Sequence, residues 1–117
     1  MSIIDFFQRA KRERIARAAV RHPCRIDAQL VLIERETHYE GRITNLSLSG
    51  ALFRPRLSYL LQRKNVAASL IVGDIRVAAK IQATVPYGYG IAFLEPISQA
   101  ELEALLQHSH TSERTAA

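Results

Sequence analysis

The chain has little of several things, and each shortage excludes a class of protein. Of its 117 residues one is cysteine, Cys24, so no disulfide can form within it. That usage fits a reducing compartment. No apolar run approaches the roughly 20 residues that a membrane span requires. The N-terminus carries no secretory pattern: Ile3, Ile4, Phe6 and Phe7 come before the basic residues, and no long apolar stretch follows them. The expected location is cytoplasmic. Aromatic residues are few, four Tyr and four Phe, which is poor material for the stacking surface of a nucleic-acid-binding barrel. No glycine-rich loop precedes a helix, and no two carboxylates stand at a spacing suited to acid–base work. The histidines His22, His38, His108 and His110 are scattered, with none of the ligand spacing of a metal site. An enzyme is not expected, nor a cofactor.

What is present is a normal apolar fraction of 48% and a net charge of +5. That length and composition suit one domain with one modest core. The charge is uneven. Residues 1–25 hold seven basic residues (Arg9, Lys11, Arg12, Arg14, Arg17, Arg21, Arg25) against Asp5 and Glu13; the other 92 residues hold nine of each sign. The whole excess lies at the N-terminal end, which points to a localised anion site or a basic arm and not to a broad nucleic-acid face.

Residues 3–19 read as a helix. Ser2 is a candidate N-cap, and Ile4, Phe7, Ile15 and Ala18 or Ala19 recur at about helical spacing. Such a segment can lie on a membrane surface, or pack on the barrel or on a second copy of the chain. The narrow apolar stripe favours packing, which makes it a candidate homodimer surface. His22-Pro23 ends the helix. Strands are then expected over 25–34, 38–46, 51–53, 66–72, 75–85 and 87–94, with Gly73-Asp74 forming a type I′ or II′ hairpin turn. Pro55 stops the third strand, and residues 56–65 fit a loop or a helical turn. Ser98 caps a final helix over 99–107 with Leu102, Leu105 and Leu106 inward. The fold expected is mostly β: a small six-stranded antiparallel barrel with N-terminal and C-terminal helices. Ile26, Leu30, Ile43, Leu52, Phe53, Leu70, Val72, Val77, Ile81 and Phe93 are the expected core. The organisation is an arm over 1–20, the barrel and its C-terminal helix over 21–107, and a disordered tail over 108–117.

Two short motifs carry the functional signal. The first is Arg21-His22-Pro23-Cys24-Arg25, an R-x-x-x-R; the second, about twenty residues on, is Asn45-Leu46-Ser47-Leu48-Ser49-Gly50, an N-x-S-x-x-G. A guanidinium is planar, permanently charged and carries five donors in a rigid fork, so it grips two phosphate oxygens at once and stacks on a purine. Pro23 holds the intervening segment extended. Asn45 and Ser47 offer short donors and acceptors, and Gly50 allows a close backbone approach.

The ordered pair of motifs resembles the PilZ domain, the bacterial receptor module for cyclic di-GMP, over roughly residues 17–106. The resemblance implies a barrel whose first motif wraps across its mouth. Arg21 and Arg25 would clamp the phosphates and stack on the guanines, and Asn45, Ser47 and Gly50 would line the base and the tight turn. Tyr-Gly-Ile-Ala-Phe-Leu at 89–94 is similar to the family's last strand, where Gly90 can also touch ligand. Many members carry an arginine where this chain has Val20, a position associated with one or two bound nucleotides. Val20 tilts the expectation to one, although Arg17, a helical turn earlier, is placed to substitute in part. The implied function is a cyclic di-GMP effector that couples binding to an unidentified protein partner by ordering its N-terminal arginine segment. The alternatives are a PilZ-like adaptor that binds no nucleotide and, more remotely, a small nucleic-acid-binding barrel.

Overall fold

The computed structural model describes residues 20–34 and 37–110. The helix expected over 3–19, with Arg17, lies outside them, as does the tail from 111. Six strands follow in chain order: β1 (His22–Leu32), β2 (Thr37–Leu46), β3 (Gly50–Pro55), β4 (Val66–Val72), β5 (Ile75–Val85) and β6 (Gly88–Phe93). One helix, α1 (Gln99–Leu106), comes after them. The strands close into an antiparallel barrel in the order β1-β2-β3-β6-β5-β4, with β4 pairing back onto β1. Closure satisfies the backbone groups that an open edge would expose.

Alternation sends one face of each strand inward. On β1, Ile26, Ala28, Leu30 and Leu32 are buried, whereas Arg25, Asp27 and Gln29 face out. Ile43, Phe53, Leu70, Ile81 and Tyr89 complete the centre of the core, each essentially without solvent contact. Burying a large aliphatic or aromatic side chain in this way contributes roughly 1.5–3 kcal/mol. Of the ten expected core residues, Leu52 and Val77 are only half-buried. Successive strand residues point to opposite faces. Phe53 takes the inward position, so its neighbour Leu52 must face out. Val77 lies on the stretch of β5 before Ala79, where β6 no longer pairs with it.

β1 begins at His22 and not at the expected Arg25, so the middle of the arginine motif is itself strand. Proline suits this place at the start of a strand, where a missing amide costs least. β3 also runs longer than 51–53 and ends on Pro55. The Gly73-Asp74 hairpin forms as expected; Gly73 alone of its two central residues has a positive φ, +57°, as in a type II′ turn. Segment 56–65 has neither helix nor strand. It is pinned across the barrel end by Arg63, whose guanidinium donates to the Tyr39 hydroxyl at 2.7 and 3.0 Å, and by the Tyr89 hydroxyl, which donates to Leu61 O at 2.8 Å. Burial and the neighbouring Tyr39 push the Tyr89 phenol above its ordinary pKa, so it stays a donor.

α1 opens with a capping box. Ser98 Oγ accepts from Glu101 N, and Glu101 Oε1 accepts from Ser98 N, both at 3.1 Å. Leu102 and Leu105 are buried; Leu106, expected inward, is half-buried. Ser109 and His110, assigned from the sequence to a disordered tail over 108–117, lie against β1. Ser109 pairs with Ile26 as an isolated antiparallel bridge.

Candidate ligand-binding surface

β1, β2, β3 and β6 carry the candidate site on their outer face. Register places Pro23 opposite Asn45, Asn45 opposite Leu52, and Leu52 opposite Gly90. Four residues scattered from position 23 to position 90 thus form one row across four strands. Two bulges shape it. One lies between Pro23 and Ile26 on β1, the other between Ile43 and Asn45 on β2. A bulge re-aims the side chains beside it. Inside the first, Cys24 Sγ donates to Ile43 O at 3.7 Å, and burial pushes the thiol up to about 11. Cys24 is therefore a neutral packing group at ordinary pH.

Arg21 and Arg25 flank this row, both exposed. Neither guanidinium has a hydrogen-bond or ion-pair partner among the described residues. The Arg25 backbone, by contrast, is fixed. Its amide donates to Ser109 Oγ at 2.9 Å, and its carbonyl accepts from His110 N at 2.7 Å. β4 pairs with β1 only from Gln29 onward, so the C-terminal hook satisfies groups that the barrel leaves open.

Asn45 is half-buried, and its Oδ1 is a buried acceptor without a donor. Such an orphan costs on the order of 1–3 kcal/mol unless something donates to it. The amide turns readily about its last torsion, which is broad and shallow for Asn. The site therefore holds an unused acceptor in a row flanked by two arginines that have no partner among the described residues.

Ser47 and Gly50 build the turn that presents Asn45. Ser47 is buried; its Oγ accepts from Gly50 N at 3.1 Å and Ser49 N at 3.3 Å and donates to Gly50 O at 3.2 Å. Its own amide donates to Gly50 O at 2.8 Å. A Cβ on Gly50 would stand 2.2 Å from Ile91 O, so only glycine lets β3 approach β6 here. Phe93 N and Ile97 N donate to Ser49 O and Leu48 O at 2.9 and 2.8 Å and fasten the turn to the exit of β6. Gly90 differs: a Cβ there meets nothing nearer than Ala83 O at 3.7 Å. Its bareness leaves the outer row open and is not required by packing.

The structure thus gathers Arg25, Asn45 and Gly90 on one face, with Arg21 at its edge. Ser47 and Gly50 lie beneath, in the supporting turn. The PilZ domain family matches the chain over residues 8–110. The chain belongs to the PilZ domain family. That span is wider than the motifs suggested at both ends; it takes in part of the basic arm and reaches the hook at Ser109 and His110. No curated protein matches the chain. PilZ domains form a family of cyclic di-GMP receptors and act by binding, not catalysis. Among the described residues no helix is long and apolar enough to cross a membrane.

Sequence reasoning missed Ser109, His110 and Leu52. Leu52 sits in the apolar run Ala51-Leu52-Phe53, where alternation cannot choose the inward residue. Ser109 and His110 sit in a small polar segment that carries no strand signal.

Proposed function

We propose that this PilZ chain binds cyclic di-GMP on the outer face of its barrel and passes the signal to a protein partner, in the cytoplasm. The observation that carries the reading is the row Pro23–Asn45–Leu52–Gly90, flanked by the guanidinium groups of Arg21 and Arg25, which have no partner among the described residues. A guanine lies flat where Gly90 has no side chain, and its N–H groups donate to the Asn45 acceptor. Arg21 and Arg25 take the phosphodiester oxygens in bidentate fashion and stack on the base. Ser47 and Gly50 act by holding the turn. Arg17 enters from the segment before Val20 as a further phosphate contact. Binding orders that arginine segment against the barrel and moves the preceding N-terminal residues. Their surface for a partner or a second copy changes accordingly.

Isothermal titration of the purified chain with cyclic di-GMP tests this, with GTP and a short single-stranded oligonucleotide as controls. Micromolar or tighter binding to cyclic di-GMP alone is expected, with loss of about 2 kcal/mol or more on Arg21→Ala or Arg25→Ala. No heat with any of the three overturns the receptor reading and leaves an adaptor that acts through protein contacts. Unchanged hydrogen exchange over residues 3–25 despite binding overturns the switch alone.

A further inference from the structure

The face that carries Arg25 and Asn45 holds a second concentration of positive charge. Register sets Arg42 of β2 directly opposite Arg54 of β3. Both take outward positions, since Gly41, Ile43, Phe53 and Pro55 beside them are buried. With Thr44, Arg56 and Leu57 they line a groove of about 430 Å³. Like charges directly opposite on neighbouring strands work against the sheet. Asp27 stands across from Arg42 on β1, but its carboxylate goes elsewhere, to His110 Nε2 at 3.1 Å and to Arg56 at 3.9 Å. Among the described residues no acid lies within ion-pair distance of Arg42 or Arg54.

This pair is not remote from the row described above. Ile43 and Thr44 separate Arg42 from Asn45 along β2, and Phe53 alone separates Arg54 from Leu52 along β3. Two residues along a strand span roughly 7 Å and three roughly 10 Å. A cyclic dinucleotide carries two phosphodiesters, so a ligand that gives one to Arg21 and Arg25 still has an anion to place.

The geometry points to an anion subsite at Arg42 and Arg54 that takes a second phosphodiester, from the same cyclic dinucleotide or from another stacked on it. It rests on the receptor reading. Two guanidinium forks on opposed strand positions suit the diffuse charge of a phosphodiester, which also relieves the repulsion between them.

Calorimetric titration of the full chain with cyclic di-GMP at several salt concentrations tests the subsite, comparing the unaltered protein with Arg42→Gln/Arg54→Gln. The double variant should melt no lower than the parent, because it loses a repulsion. Its affinity should fall at least about tenfold, the scale of losing charge-assisted contacts. Its affinity should also depend less steeply on salt. One ligand per chain in both proteins assigns the phosphodiester to the same molecule; two falling to one assigns it to a stacked second molecule. If the Gln variant does not fold, Arg42→Lys/Arg54→Lys keeps the charge and loses the fork, and a clear drop in affinity is still expected. Undiminished affinity and salt dependence in a folded variant overturn the subsite alone. Failure of the unaltered protein to bind overturns the receptor reading, and the subsite falls with it.

Discussion

Arg25 and Ser109 are joined across 84 positions of sequence by a hydrogen bond from the Arg25 amide to the Ser109 hydroxyl, 2.9 Å long. The arginine that faces the ligand row thus has its backbone held by the chain's C-terminal segment and not by a neighbouring barrel strand. Removing the hook leaves the barrel closed and frees the strand that carries Arg25. Truncation after Gln107 is expected to reduce stability by only about 0.5–1.5 kcal/mol per lost hydrogen bond. It should weaken cyclic di-GMP binding several-fold and speed hydrogen exchange at the Arg25 amide. Ser109→Ala should show the same exchange effect in smaller measure. An unchanged Arg25 exchange rate in the truncated chain would show that the hook does not position it.

The two site glycines make opposite predictions. Gly50→Ala drives a Cβ to within 2.2 Å of Ile91 O, a backbone atom that moves only with β6. Overpacking of this kind costs roughly 1–3 kcal/mol. At about 4–8 °C per kcal/mol for a domain this small, a scan by circular dichroism resolves it. Gly90→Ala meets only ordinary contact at 3.7 Å, so its melting temperature should stay close to the parent's. Its cyclic di-GMP affinity should nevertheless drop, since the added methyl stands where the base lies. Full affinity in Gly90→Ala would remove the base from that position.

Much of this arrangement was legible in the sequence, for identifiable reasons. β4 and β5 have the expected bounds because regular alternation meets an unambiguous Gly73-Asp74 turn between them. The arginine and asparagine motifs stood out because their residue types are costly to bury and chemically specific. Register was not legible. The opposition of Pro23 to Asn45, and of Arg42 to Arg54, depends on bulges on β1 and β2; Pro23 borders the first without fixing where the extra residue goes, and no Gly or Pro marks the second. The hook at Ser109 was hidden for a related reason: a gap in the β1–β4 ladder belongs to the barrel's closure, and no local pattern encodes it.

Asn45→Ala separates binding from folding. The side chain's Oδ1 has no donor in the free protein, so its removal forfeits little stability and relieves an orphan acceptor. The melting temperature should stay level or rise, because the unsatisfied acceptor is removed. The rise in melting temperature on adding cyclic di-GMP should shrink markedly, because the ligand's N–H donors lose their acceptor. Ser47→Ala should reverse the pattern, lowering the melting temperature of the free protein by breaking the turn's hydrogen bonds. Equal ligand-induced stabilisation in Asn45→Ala and the parent would exclude Asn45 from the contact.

Cys24 gives a prediction about alkaline pH. Burial raises its thiol from 9.0 to about 11 in the folded protein. The folded state therefore keeps the proton that the unfolded state releases above about pH 9. The group's contribution to stability is fully present below that pH and is lost as pH rises from about 9 through about 11. The decisive quantity is the difference between the parent and Cys24→Ala in urea unfolding at pH 8 and pH 10.5. The parent should lose more stability than the variant over that interval. The thiol should also react slowly with iodoacetamide at pH 8 in the folded protein and fast in urea, since the thiolate is the nucleophile. Rapid labelling of the folded chain at pH 8 would show that the bulge between Pro23 and Ile26 opens readily, and would place mobility within the arginine motif itself.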